Sequence, residues 1–344
     1  MKKKLVIFLS GAASACIFST ANAQSSVTLY GVIDNGLAYQ STAAGAAYRA
    51  VPGGLYSTRY GFKGSEDIGG GLKINFQLEQ AFSGMTGAAT NPAEAFNRQA
   101  WVGMSGGFGE VRFGLQNSPQ YDVLQAAMDP TAVKSIASPM NNFNSLTIRE
   151  SNAISYFTPT FDGLSAKFMV AMRDSTTKPT NGLLFYNAVV QYVKGPFSGA
   201  AGYEQAANAT GTSILKLFNA GASIATGPNR FWLAYHTELQ TNTLKDSKRD
   251  VYQVSDSYLF SPADQLSLMY GYVHDRTGAG NNAQELGLID EYFLSKATEV
   301  YAALGFIQNR NRAGYTLNGT AYSGIAVVPG ADTRGINLGI VHKF

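Results

Sequence analysis

A two-residue period dominates this chain. In Leu72–Glu79, LKINFQLE, the apolar Leu72, Ile74, Phe76 and Leu78 alternate without a slip with Lys73, Asn75, Gln77 and Glu79. Successive side chains of a strand point to opposite faces, so this segment is a strand with one greasy face and one wet face. With it, sixteen segments read as strands, most of them about ten residues long, from LYGVIDNGLAY at Leu29 and LYSTRYGFKG at Leu55 to EVYAALGF at Glu299 and GINLGIVHKF at Gly335. Their connections alternate in kind. One set is short and turn-rich: Ser65–Gly71, Gly106–Gly109, Lys194–Pro196, Thr226–Asn229, Ser261–Asp264 and Ser295–Thr298. The other set is longer and polar, and Gln116–Ile148 and Asn309–Thr333 are much longer.

Short turns at one end and long loops at the other describe an up-and-down transmembrane barrel. A soluble sandwich of that many strands would need Greek-key crossings, which mix the two loop lengths. The expected fold is therefore all-β, a sixteen-stranded antiparallel transmembrane β-barrel. Closure satisfies every backbone hydrogen bond while lipid covers the outside. Leu72, Ile74, Phe76 and Leu78 then face lipid, and their polar neighbours face water. Sixteen strands are wide enough to leave an aqueous channel. The short turns are expected to face the periplasm and Asn309–Thr333 the cell exterior, with Asn318 reachable from outside.

Residues 1–23 stand apart. Lys2, Lys3 and Lys4 precede a short apolar or small-residue core, Leu5 to Phe18, and Ala21-Asn22-Ala23 reads as a cleavage site. That is a secretory signal peptide, leaving 24–344 as one barrel domain. A lipoprotein site at Cys16 is the competing reading, but it lacks the usual leucine. Cys16 is the only cysteine, so the processed chain offers no disulfide, thiolate nucleophile or cysteine-ligated metal. Losing the three signal lysines takes the 26 basic residues to 23, equal to the 23 acidic ones. Overall charge therefore gives no argument for a nucleic-acid partner. No apolar run after Ala23 reaches the roughly 18 residues of a membrane helix.

Enzyme chemistry finds little support. His236, His274 and His342 fall on different strands, and no Ser/His/Asp spacing or metal-ligand cluster accompanies them. The glycines of GSEDIGGG precede a strand, where a nucleotide site would need a helix. No cofactor and no metal are expected.

Several stretches in combination resemble the Gram-negative general diffusion porins in their betaproteobacterial form: SSVTLYGVID after the signal, RYGFKGSEDIGGGLK from Arg59, FNRQAWVGMSGGFGEVRFG from Phe96, YFLSK from Tyr292 and the terminal GIVHKF. The likeness covers Gln24 to Phe344. It implies a homotrimer in the Gram-negative outer membrane, a multi-pass β-barrel surrounded by lipid, and passive passage of small hydrophilic solutes and ions. A substrate-specific channel and, more distantly, an outer-membrane hydrolase are the alternatives. The terminal strand ending on Phe344 resembles the signal read by the outer-membrane insertion machinery.

By the same resemblance Gln116–Ile148 is the third loop, folded into the pore, carrying Asp122, Asp129 and the oppositely charged Lys134. The family places basic side chains on the facing wall, and Arg59, Arg98 and Arg149 match those positions. Strand parity supports Arg59, which alternates with an outward Tyr60, and Arg112, between Val111 and Phe113. It supports Arg98 through an outward Trp101 three residues on. Tyr30, Trp101 and the other aromatic residues near strand ends are expected in interfacial girdles. Two departures from the family pattern stand out. Gly114-Leu115-Gln116 lacks the family's arginine, and the loop lacks a compact acidic cluster. A surplus of inward basic residues in the first strands implies a modest anion preference, tempered by Asp122 and Asp129. Asp256 and Asp290 fall in lipid-facing phase, where a bare carboxylate is unfavourable. An interfacial position, a partner or a bulge would each resolve them.

Overall fold

The computed structural model describes residues 26–172, 183–208, 212–242 and 247–344. The segment read as a signal peptide lies outside them. Strands β1 (Ser26–Thr42), β2 (Gly45–Pro52), β3 (Arg59–Gly69), β4 (Leu72–Ala81), β5 (Gln99–Gly106) and β6 (Gly109–Asn117) lead to two short helices, α1 (Pro119–Met128) and α2 (Pro139–Phe143). There follow β7 (Arg149–Phe157), β8 (Leu164–Met172), β9 (Leu183–Lys194), β10 (Phe197–Ala207), β11 (Ser213–Thr226), β12 (Asn229–Asn242), β13 (Ser247–Ser261), β14 (Asp264–Asp275), β15 (Ala283–Phe293), β16 (Thr298–Asn309) and β17 (Thr333–Lys343).

From β3 onward each strand pairs antiparallel with the next, and β1 closes the ring against β17 on one edge and β3 on the other. Strand β2 pairs with β1 alone, over Asn35–Thr42, next to the β1–β3 pairing over Ser26–Val32. β2 and β3 are thus two halves of one stave, and the closed antiparallel barrel has sixteen. All sixteen sequence segments become strands. The one at Leu55 begins later than expected, at Arg59, and β2 is an addition. The interruption has a local cause. The Asp34 carboxylate accepts the N–H groups of Leu55 and Tyr56, each at 2.7 Å, and the Tyr301 hydroxyl at 3.0 Å. It draws residues 53–58 out of the sheet and into the lumen.

The barrel is inverted relative to a soluble protein. On β17, Ile336, Leu338 and Ile340 are exposed while Asn337 between them is fully buried. On β12, Leu233 is 67% exposed and His236 is buried. Apolar atoms outside and polar atoms inside is the arrangement lipid requires. Phases misread from the sequence are those where two large side chains are adjacent. Leu29 and Val102 are exposed, so Tyr30 and Trp101 turn inward, where the Tyr30 hydroxyl donates to Glu79 and Trp101 is buried. Asp256 and Asp290 keep lipid-facing phase with no bulge at either residue. Asp256 accepts two hydrogen bonds from the Asn229 amide at the short-turn end, and Asp290 is exposed near that same end.

Half of the lumen is filled. Leu124 and Met128 of α1, Met140 and Phe143 of α2 and Ile136 between them form one dry cluster with Val251, Met269, Ile289 and Ile307 of the wall. Inward glycines on four strands make room for it. A Cβ on Gly202, Gly221, Gly287 or Gly305 would meet, respectively, Gln120, Met128, Ala137 or Ile136. The β16–β17 loop also dips inward. Leu317 is fully buried, and the Asn318 N–H donates to Asn142 at 2.7 Å. Asn318 is therefore not the accessible tip expected from loop length, whereas Val328 of the same loop is 49% exposed. An epitope inserted after Val328 should bind antibody on intact cells. Labelling only after the outer membrane is broken would reverse the orientation.

Candidate pore constriction

The other half of the lumen stays open, between the filled side and the strands from β3 to β7. Its centre is a cavity of about 400 Å³ lined by Arg59, Arg98 and Arg112 on the wall, Asp122 and Lys134 on the inner segment, and Glu79. Arg59 enters the lumen because the Asp34-held turn delivers it there at the start of β3. Arg98 lies just ahead of β5. With Trp101 inward, strand parity would turn Arg98 outward, yet residue 98 is outside the strand and its guanidinium reaches the Glu79 carboxylate. Glu79 accepts from Arg59 as well, at 3.1 Å, and from Tyr30 at 2.9 Å. One carboxylate thus sits between two guanidinium groups and leaves one positive charge uncompensated. The sequence showed Glu79 as a wet-face charge; its part as the hub of two arginines came from the fold.

Lys134 and Arg149 add to the surplus. They share a second cavity of about 130 Å³ with Arg98, and no carboxylate is among its lining residues. The Lys134 ammonium lies 4.6 Å from the centre of the Tyr56 ring, which the Asp34-held turn presents. Burial, with Arg59 and Lys343 nearby, pushes the Lys134 pKa down to about 8.

The two loop acids differ. Asp122, in the first turn of α1, faces the open side, accepts from Asn117 at 2.9 Å and stands 3.9 Å from Lys167. Asp129 is turned away. It is 1% exposed and accepts from the Thr131 N–H, the Ser138 hydroxyl and the Gln253 amide, each at 2.7 Å. It fastens the segment to β13 and does not oppose the basic wall. Arg112 sits lower, sandwiched between the rings of Trp101 at 4.0 Å and Phe157 at 4.5 Å, with Glu110 at 2.8 Å. Its charge is met locally.

The filled side is pinned by polar contacts. Glu204 accepts the Thr147 N–H, Glu285 accepts from Asn142, and Asn219 donates to Gln120. His236 is buried in this scaffold, between Asn219 and Glu238, rather than in a catalytic arrangement. Arg249 joins Glu238 to Ser145.

A closed barrel with an apolar exterior, a polar lumen and a charged narrow zone defines an outer-membrane channel. Residues 11–312 match the family model of the Gram-negative porin, and the chain belongs to that family. It is 30% identical over the full length of both chains to outer membrane porin protein 32 of Delftia acidovorans. It is 32% identical to the major outer membrane protein P.IB of Neisseria meningitidis serogroup B, over 51% of this chain and 52% of that one. The solved anion-selective porin from Comamonas acidovorans superposes with a TM-score of 0.83 at 29% identity, covering 93% of this chain and all of that one. OmpT of Vibrio cholerae in its trimer form shares the fold, with a TM-score of 0.71 at 17% identity, over 93% and 99% of the two chains. The protein is thus a porin of the Gram-negative outer membrane, a passive diffusion channel and not an enzyme.

Proposed function

We propose that this porin is a homotrimer that passes small hydrophilic solutes with a preference for anions, selected where residues 116–148 face Arg59, Arg98 and Arg149. The observation that carries the preference is the cavity shared by Arg98, Lys134 and Arg149 with no carboxylate in its lining. The burial of Asp129 removes one acid that the loop sequence offered, so the preference is stronger than a count of loop charges suggests. The similar porin from Comamonas acidovorans is described as anion-selective. A trimer form is known for the fold relative OmpT.

In a planar bilayer with a salt gradient, the reversal potential should take the sign of anion preference. Cation preference would overturn the assignment of the basic wall. The preference should also depend on pH. With a pKa of about 8, Lys134 is charged below that pH and neutral above it. Anion preference should therefore decline from about pH 7 to 9, and Lys134→Gln should flatten the decline. A profile unchanged by that substitution would remove Lys134 from the selective zone.

Assembly rests on Phe344. Its N–H and carbonyl both pair with Gly31, at 3.1 and 2.9 Å, and its ring covers the space a side chain at Gly31 would occupy. Deleting Phe344 takes two hydrogen bonds and an apolar cover from the seam that closes the barrel. Outer-membrane trimer yield should fall, with periplasmic accumulation or degradation. Normal yield would make Phe344 an ordinary strand end.

A further inference from the structure

Tyr56 stands where two opposite sets of charges meet. Its backbone N–H and that of Leu55 are held by the Asp34 carboxylate, so the turn fixes the place of side chain 56 through the main chain alone. Two ammonium groups lie against the Tyr56 ring. Lys134 of the inner segment is 4.6 Å from the ring centre, and Lys343 of β17 is 4.5 Å from it. Lys343 also donates to the Tyr56 hydroxyl at 3.4 Å. The face of an aromatic ring attracts a cation and carries no charge of its own, so it holds an ammonium without cancelling it.

Two carboxylates approach the same place from the wall. Glu291 on β15 pairs with Tyr301 on β16, and Glu299 lies two residues before Tyr301, so both turn to the same face, side by side. They are 9% and 3% exposed, and each lies within electrostatic reach of both Lys134 and Lys343. Lys343 comes within 3.7 Å of the Glu299 Oε1 atom, which is buried and accepts no hydrogen bond from the described residues. Lys134 makes no ion pair among the described residues. It lines the larger pore cavity together with Tyr56, whereas neither Glu291 nor Glu299 does. An ammonium and a buried carboxylate attract strongly where water is scarce, so a neutral group that engages the ammonium decides whether the pair forms.

We propose that Tyr56 is a specificity-determining residue of the narrow zone, whose ring keeps Lys134 from Glu291 and Glu299 and so leaves that charge free for permeating anions. Tyr56 is then a positioning residue that acts through Lys134, a role that rests on the anion preference inferred above.

Tyr56→Leu removes the ring and keeps the main-chain bonds to Asp34. Lys134 should then pair with the two carboxylates, and the anion-to-cation permeability ratio should fall roughly two- to fourfold, about as far as in Lys134→Gln. Tyr56→Phe retains the ring and should retain most of the native ratio. In a Lys134→Gln background, Tyr56→Leu should give no further shift. A distorted turn would shift the ratio in both backgrounds, and that result would overturn the proposal, as would a native ratio in Tyr56→Leu. Every shift is read against the native channel. A native channel that prefers cations therefore overturns the anion preference alone, and the direction of the Tyr56→Leu shift still decides the role of the ring. Where Tyr56→Leu does not assemble, Tyr56→Met replaces it. Failure of both to assemble, with normal assembly of Tyr56→Phe, would make the ring a packing element and overturn its role in selectivity.

Discussion

Replacing Arg59, Arg98 and Arg149 together by serine should reverse the ion preference of the channel. The narrow zone holds Arg59, Arg98, Lys134 and Arg149 against Glu79 and Asp122. Counting unit charges gives a surplus of two positives in the native channel and a deficit of one in the triple variant. A unit charge about 5 Å from the ion path is worth about 0.8 kcal/mol at water-like dielectric, and a Debye length of about 8 Å nearly halves that. Three such charges amount to about 1–1.5 kcal/mol for each permeating ion, a roughly tenfold loss in anion entry and a roughly tenfold gain in cation entry, and low-dielectric walls enlarge the effect. Arg98→Ser alone should give a smaller shift, because it frees Glu79 to pair with Arg59 only. The reversal potential in a salt gradient reads all of these. A triple variant that keeps the native reversal potential would place the selective region elsewhere.

The second large effect concerns the filled half of the lumen. Gly287→Val puts a branched side chain against the backbone of Ala137, where there is no room for a Cβ. The segment has few ways to give, because Asp129 ties it to Gln253 and α2 packs against β13–β15. Overpacking of this kind costs about 1–3 kcal/mol, which lifting the segment off the wall would relieve. The variant should show higher single-channel conductance, admit larger sugars in a liposome-swelling assay and lose anion preference as Lys134 moves away. Gly107→Val serves as the control, since it sits in an open turn with no atom near its Cβ position and its backbone is outside the left-handed region, and it should leave the pore unchanged. Native conductance in the Gly287 variant would mean that the segment adapts in place and that the glycine is not what seats it.

Period-two alternation by itself determined the strands, their number and the inverted barrel, because a strand in lipid must place every second side chain outward. The alternating connection lengths determined that the barrel runs up and down. Arg59 and Arg112 were legible as lumen residues for the same reason. Phase was not legible where bulky neighbours compete. LeuTyr at 29–30 and TrpVal at 101–102 each offer two candidates for the outward face, and only pairing with Phe62 and Phe76 sets Leu29 and Val102 toward lipid.

Tertiary structure alone decided the constriction. Asp122 and Asp129 read alike in sequence. Asp129 is turned away by Ser138 and Gln253, the latter more than a hundred residues distant along the chain. Lys134 reads as a lone loop cation until Tyr56, Arg98 and Arg149 gather around it. Asp34 reads as one more polar strand residue until the backbone of Leu55 and Tyr56 closes on its carboxylate. The inward glycines at 202, 221, 287 and 305 were visible as residues, but their use depends on which segment comes to rest against them. Local alternation is dictated by the geometry of one strand and its solvent. The seating of a loop inside a barrel depends on shape and hydrogen-bond partners contributed by many strands, and no single stretch of sequence contains them.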